Sequence, residues 1–330
     1  MKRSVSIAAA AAAAALALTA CGGGTDDGSG TEERDLPETL TLGLVPSQDQ
    51  DQLVEDAEVL GDLLGEELGV EVETSVSTDY AALVVAMQTE QADIGMFGPV
   101  ALVQAVDQAD AEAVLQSVRY GSSTYHTQWM TNDPDTYCLD EVVTETDDDG
   151  NEFAFCNGAE AVEGPTGEDA LALVEQGTTI SFVEEGSASG YYYPATQLAE
   201  VQGIDPLTDI TSIYAGGHPN SVLNVVRGDA PIGVSFNDAR AEVLEEEPDA
   251  GTEAVVFASS PEIPNDGVAV SGTFEDATTT QITDAFLALA ESEEGLAALD
   301  AVYGIEGLEP ADLDALDAAR QVAANFGDAE

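Results

Sequence analysis

The chain has 330 residues, of which 65 are acidic and seven basic, so its formal charge at neutral pH is −58. That balance excludes nucleic acid as a partner, because a phosphate backbone is held by basic stripes and this sequence has none. Its apolar fraction of 44% is too high for a chain kept disordered by charge, and suffices for cores in two lobes of ordinary domain size.

Residues 1–20 read as an export signal. Lys2 and Arg3 form a positive head, residues 7–17 are an apolar run, and Leu18-Thr19-Ala20 precedes Cys21. The run is too short for a bilayer crossing, which takes roughly 20 apolar residues. Leu-Thr-Ala-Cys resembles the bacterial lipobox, which implies a lipid on the Cys21 sulfur and an anchor on the outer face of the cytoplasmic membrane. Residues 21–37, containing GGGTDDGSGTEE, then form a flexible tether. With Cys21 lipidated, Cys138 and Cys156 remain in an oxidising compartment and are expected to pair.

Removing Lys2 and Arg3 with the signal leaves five arginines and no lysine against 65 acids, a formal charge of −60. Such a surface suits high salt, since the Debye length falls to about 3 Å at molar ionic strength and self-repulsion is screened. Thermal unfolding is therefore expected at a lower temperature in dilute buffer than in molar salt. Equal melting temperatures would contradict this expectation.

Taken in chain order, residues 38–45 (ETLTLGLV) alternate and then run apolar, as a buried strand does. Residues 52–68 carry Leu53, Val54, Ala57, Leu60, Leu63 and Leu64 at helical spacing. A strand at 70–76 leads to a helix at 80–88, for which Thr78 or Asp79 supplies the cap. Strand 92–97 and helix 100–109 continue the alternation, the mark of an α/β layer with a largely parallel sheet. The pattern breaks at about 132–177, an acidic surface insertion holding Cys138 and Cys156 and ending in a short helix at 169–176. Strands are then expected at 179–183, 210–215, 231–236, 255–258 and 267–271, and helices at 189–202, 220–227 and 238–245. From 278 onward the pattern is helical, with a break at 304–307.

In open α/β sheets ligands bind beyond the carboxyl ends of strands, where helices begin. Three such junctions are rich in hydroxyls, glycine and histidine: Ser77-Thr78-Asp79-Tyr80, Gly186-Ser187-Ala188-Ser189-Gly190 and Gly216-Gly217-His218-Pro219. Free N–H groups and the helix dipole bind anions there, and hydroxyls add neutral donors. Each junction taken alone is an ordinary helix cap. Together, and in order, the stretches LGLVPSQ, STDYAALVVAMQTEQADIGMFGP, GSSTYHT, GSASGYYYP, AGGH, SFND and PEIPND resemble the phosphonate/phosphite/phosphate solute-binding proteins of ABC importers, the PhnD type.

The resemblance implies an α/β protein of the type II periplasmic-binding fold, each lobe a mixed sheet flanked by helices, joined by a hinge. Lobe 1 is expected to hold 38–126 and 240–330, and lobe 2 to hold 127–239. Tyr80 and Tyr125 match tyrosines lining the family's cleft, Ser187, Ala188 and Ser189 match its oxyanion-binding turn, and His218 matches its histidine. Ala188 departs from the threonine of many members, which removes one hydroxyl but not the backbone N–H. Asp238 and Asp266 stand where acids bind an amino group in some members, or accept a hydrogen bond from a protonated oxyanion, so the ligand's identity stays open. Among these residues His218, if protonated, is the one expected cation. The implied partners are a small phosphorus oxyanion, ABC permease subunits and the membrane reached through Cys21, with the protein a monomer and no cofactor or metal.

An enzyme is the main rival. Gly186-Ser187-Ala188-Ser189-Gly190 puts alanine where a nucleophile elbow requires serine. Only His126 and His218 are available as a base, and although they could join carboxylates around a metal, they stand far apart with no cluster at ligand spacing. A receptor feeding a membrane sensor, or one for another small anion, would show the same lobes.

Overall fold

The computed structural model describes residues 36–326 apart from 148, 162 and 163; the export signal, Cys21 and the tether up to residue 35 lie outside the described residues. The first lobe opens with β1 (Thr39–Leu44), whose Leu40, Leu42 and Leu44 alternate onto one buried face. Helix α1 (Gln50–Leu68) begins where the Asp49 carboxylate accepts the Gln52 N–H and ends at Gly69 in the left-handed region. Its buried stripe is Leu53, Ala57, Leu60, Leu64 and Leu68, an i, i+4, i+7 spacing that faces the sheet. There follow β2 (Glu71–Val76), α2 (Tyr80–Gln88) capped by the Asp79 side chain, β3 (Ile94–Phe97), α3 (Pro99–Ala109) and β4 (Glu112–Val118).

Through β5 (Thr124–Tyr125) the chain crosses into the second lobe. That lobe contains β6 (Thr127–Thr131), α4 (Pro134–Tyr137), β7 (Val143–Thr146), β8 (Glu152–Phe155), α5 (Glu168–Leu171) and β9 (Thr179–Phe182). A π-helical turn, Ala188–Tyr192, runs into α6 (Tyr193–Gln202), and β10 (Thr211–Tyr214), α7 (His218–Val226) and β11 (Ile232–Phe236) come next. A 3₁₀ turn at Ala239–Val243, α8 (Ala250–Glu253) and β12 (Val255–Ser259) complete it. The chain returns through β13 (Ile263–Pro264) to β14 (Gly267–Val270), α9 (Asp276–Glu291), α10 (Glu293–Tyr303), β15 (Gly307–Pro310) and α11 (Leu313–Ala324).

The first sheet has the order β15-β4-β14-β3-β1-β2 and the second β10-β9-β11-β6-β12-β8-β7. Both are mixed. β14 enters the first sheet antiparallel to β3 and β4, and β6 lies antiparallel between β11 and β12. Each sheet therefore contains a strand delivered by the chain's passage from the other lobe. The hinge is itself a ribbon, β5 against β13 with Tyr125 opposite Ile263. Asn265 braces it, its side-chain amide donating to the carbonyls of Ser117 and Ser122 at 3.0 and 2.8 Å. One core lies under the first sheet, and two smaller ones cover the faces of the second.

Four sequence expectations need correction. The second lobe extends to residue 259 rather than 239, because β12 pairs with β6 across Val255 and Thr131. A wholly buried strand reads as a continuous apolar run and carries no mark of which sheet it joins. The segment 132–177 is more than a surface insertion: β7 and β8 extend the second sheet, with Phe153 and Phe155 buried. Cys138 and Cys156 are bonded there, Cα atoms 5.6 Å apart, joining the end of α4 to the end of β8. The helices expected at 169–176 and 238–245 are single turns, Glu168–Leu171 and Ala239–Val243. The break near 304 holds an edge strand, β15, paired with β4.

Candidate functional site

Both lobes send helix starts into the cleft between them. From the first lobe come Ser47 and Gln48, on the loop after β1, and Tyr80, the first residue of α2. From the second come the π-helical turn and the first residue of α7, His218. The Ser187 hydroxyl accepts the Gly190 N–H at 3.1 Å, which pins the turn and leaves the N–H groups of its first residues directed outward. The cleft is closed. The His218 N–H donates to the Ser47 carbonyl at 3.0 Å, and the Gln48 side-chain amide donates to Glu242 across the lobes at 2.9 Å.

Tyr80, Tyr125, Ser187, Ala188, Ser189, His218 and Asp266 line one enclosed space of about 20 Å³. A single water needs about 10–15 Å³, so the closed space is small and admits no bulky solute. Burial, and then the nearby Asp266 carboxylate, push the Tyr80 and Tyr125 phenols well above their ordinary range, so both stay O–H donors. Burial also raises the carboxyl of Asp266, with Arg119 opposing.

His218 is a neutral donor, so the protonation on which its role as a cation depended is not met. Burial, with Arg119 adding to it, lowers its pKa from 6.5 to about 3. The Phe236 N–H lies 3.4 Å from Nδ1, and Ser235 Oγ lies 2.8 Å from it. A backbone N–H only donates, so Nδ1 accepts and the ring hydrogen sits on Nε2, 3.5 Å from Ser187 Oγ. In that tautomer Nε2 donates toward the Ser187 hydroxyl, and Nδ1 faces a hydroxyl and a backbone N–H where a catalytic triad would place a carboxylate. Folded His218 refuses a proton that an unfolded histidine accepts below about 6.5, so its contribution to stability is complete above that pH and is lost as pH falls toward 3. His218→Asn is expected to narrow the drop in melting temperature between those two pH values.

The cation of the cleft is Arg119, which the sequence reading did not single out. Its side chain is 7% exposed, its Nη1 lies 3.4 Å from Asp266 Oδ2, and its guanidinium carbon stands 4.8 Å over the Phe236 ring. Its Nε is buried and meets no acceptor among the described residues. One sequence signal bore on it: Arg119 is one of five arginines outside the export signal and lies at the end of β4, just before the crossing segment. Ser47, Gln48, Phe236 and Tyr303 also line the space, the first two inside the LGLVPSQ stretch.

Asp238 does not line it, contrary to expectation. Its carboxylate is closed by Arg240, at 2.7 Å to Nε and 3.0 Å to Nη2. His126 is likewise elsewhere engaged, its Nδ1 3.0 Å from the Ser260 carbonyl at the hinge. Among the described residues no three His, Cys, Asp or Glu side chains are placed to hold a metal ion.

Two mixed sheets linked by a two-stranded hinge, closed on a donor-lined chamber, define the fold of the type II periplasmic binding proteins. Solved structures with this fold include the binding protein component of an ABC phosphonate transporter from Pseudomonas aeruginosa (18% identity, TM-score 0.69, 86% of this chain and 85% of that one). PhnD1 from Prochlorococcus marinus, solved with methylphosphonate, matches at 17% identity and TM-score 0.70 over 88% of this chain and 99% of that one. Residues 42–316 match the family described as ABC transporter, phosphonate, periplasmic substrate-binding protein, and the chain belongs to that family. The members of that family are described as substrate-binding proteins. Phosphate-import protein PhnD of Mycolicibacterium smegmatis is 28% identical over 228 residues, 66% of this chain; the chain spans about three fifths (61%) of that relative's length.

Proposed function

We propose that this protein captures a phosphorus oxyanion (phosphonate, phosphite or phosphate) between its lobes and delivers it to the permease of an ABC importer. The observation that carries the reading is the closed chamber, where the Ser187 and Ser189 turn, two phenols, the neutral His218 and the buried Arg119 converge on a space of about 20 Å³. An anion there would gain charge-assisted hydrogen bonds in a dry site, each stronger than a neutral one. Binding would favour the closed form by its difference in affinity for closed and open forms. The family match and the likeness to a phosphate-import protein support the ligand class.

On this reading the protein works as a monomer outside the cytoplasmic membrane, held by lipid on Cys21, with an acidic surface suited to a salty exterior. Among the described residues no helix is long and apolar enough to cross a membrane. The test is calorimetric titration of the protein in molar salt with phosphate, phosphite and methylphosphonate. Ser187→Ala and His218→Ala are each expected to weaken binding about tenfold or more, about 1.4 kcal/mol apiece. Unchanged affinity in both variants would dismiss the site.

A further inference from the structure

A second cavity, of about 210 Å³, lies on the hinge side of the closed chamber, and Arg119, Tyr125 and Phe236 line both. The guanidinium stacked over Phe236 is thus part of the wall between a space that holds only a compact ion and one large enough for an organic substituent. The same guanidinium is paired with Asp266, the carboxylate that lines the chamber. Asp238, the other acid expected to receive an amine, is held bidentately by Arg240.

These pairings decide what the chamber rejects. An ammonium group on a ligand needs an acceptor that is free and a neighbourhood without another cation. Here it would meet Asp266 with one oxygen facing Arg119 at 3.4 Å, and that arginine beside it, a like-charge contact in a buried site where screening by water is lost. A tetrahedral oxyanion meets the opposite situation, since it brings a charge of the opposite sign to an arginine that lines the chamber. The fork of an arginine matches the oxygen edge of phosphate or phosphonate.

We propose that Arg119 is the specificity residue of the cleft: it neutralises a compact tetrahedral oxyanion, denies Asp266 to an amine-bearing ligand, and walls off the hinge-side cavity from the substituent of a larger one. This rests on the oxyanion-binding reading above and narrows it to small, amine-free ions.

The experiment is calorimetric titration in molar salt of the wild-type protein, Arg119→Ala and Arg119→Gln with phosphate, methylphosphonate and 2-aminoethylphosphonate, with circular dichroism to establish folding. Wild type is expected to prefer the better of the first two over 2-aminoethylphosphonate by about tenfold or more. Both variants are expected to lose about tenfold or more toward the compact ions, with the preference shrinking toward one or inverting. Asp266→Asn, which keeps the arginine, is expected to go on rejecting the amine. Wild-type protein that binds 2-aminoethylphosphonate as tightly as methylphosphonate overturns the proposal without any variant, as does an unchanged preference in a folded Arg119→Gln. Wild-type protein that binds none of the three overturns the oxyanion reading itself, and this proposal with it.

Discussion

Asp238→Ala is expected to lower the unfolding free energy by about 3 kcal/mol and to leave oxyanion affinity unchanged. The reason is Arg240, whose side chain is fully buried. Its Nη1 donates to the carbonyls of Ala154, Gly251 and Ala254 at 2.8, 2.9 and 2.9 Å, and its guanidinium carbon lies 5.0 and 4.6 Å from the Phe153 and Phe155 ring centres. Those neighbours position the charge but do not neutralise it; Asp238 does, through both oxygens. Removing one partner of a buried pair costs about 3–5 kcal/mol because the other is left uncompensated. The low end applies here, since Asp238 keeps 30% of its side chain exposed. Denaturant unfolding and calorimetry, both in molar salt, check the two halves. A tenfold loss of affinity with stability unchanged would return Asp238 to the ligand.

Gly186→Ala is expected to act in the opposite way, weakening binding with little change in the stability of the ligand-free protein. A Cβ on Gly186 would lie 2.3 Å from Tyr80 Cβ and 2.9 Å from its Cγ. Gly186 precedes the π-helical turn of the second lobe, and Tyr80 begins α2 in the first, so the collision with Tyr80 exists only when the lobes are shut. The third close atom, Glu184 Oε2 at 3.0 Å, is the end of a flexible side chain in the same lobe. Overpacking costs about 1–3 kcal/mol. Charged to the closed form alone, it would weaken affinity by about five- to 150-fold. Calorimetry with phosphate, and small-angle scattering with and without it, would show a weaker ligand and a protein that closes less. Wild-type affinity in Gly186→Ala would mean that closure does not need this contact.

These two positions mark how far the chain could be read. Gly186 sits in a junction whose spacing of glycines and hydroxyls is visible in a dozen residues, because a helix start is built from its own neighbours. Asp238 stands two residues from Arg240, yet nothing local says that the arginine turns inward beneath three carbonyls contributed by residues 154, 251 and 254. Arg119 is harder still, since its partner Asp266 lies 147 residues away, across the second lobe.

Local order follows from periodicity and capping, and there the residues spoke for themselves: the α1 stripe, the Asp79 cap, the hydroxyl-rich turn at Ser187 and a histidine at the first position of α7. Long-range pairing decided the rest. Which sheet receives β12, whether the acidic segment adds strands, and which arginine holds which acid all depend on contacts between distant segments. His218 joins the two levels. Its place at a helix start was legible, but its protonation was not, because burial beside Arg119 and the Phe236 N–H at Nδ1 make it a neutral donor and leave the cleft's positive charge to an arginine.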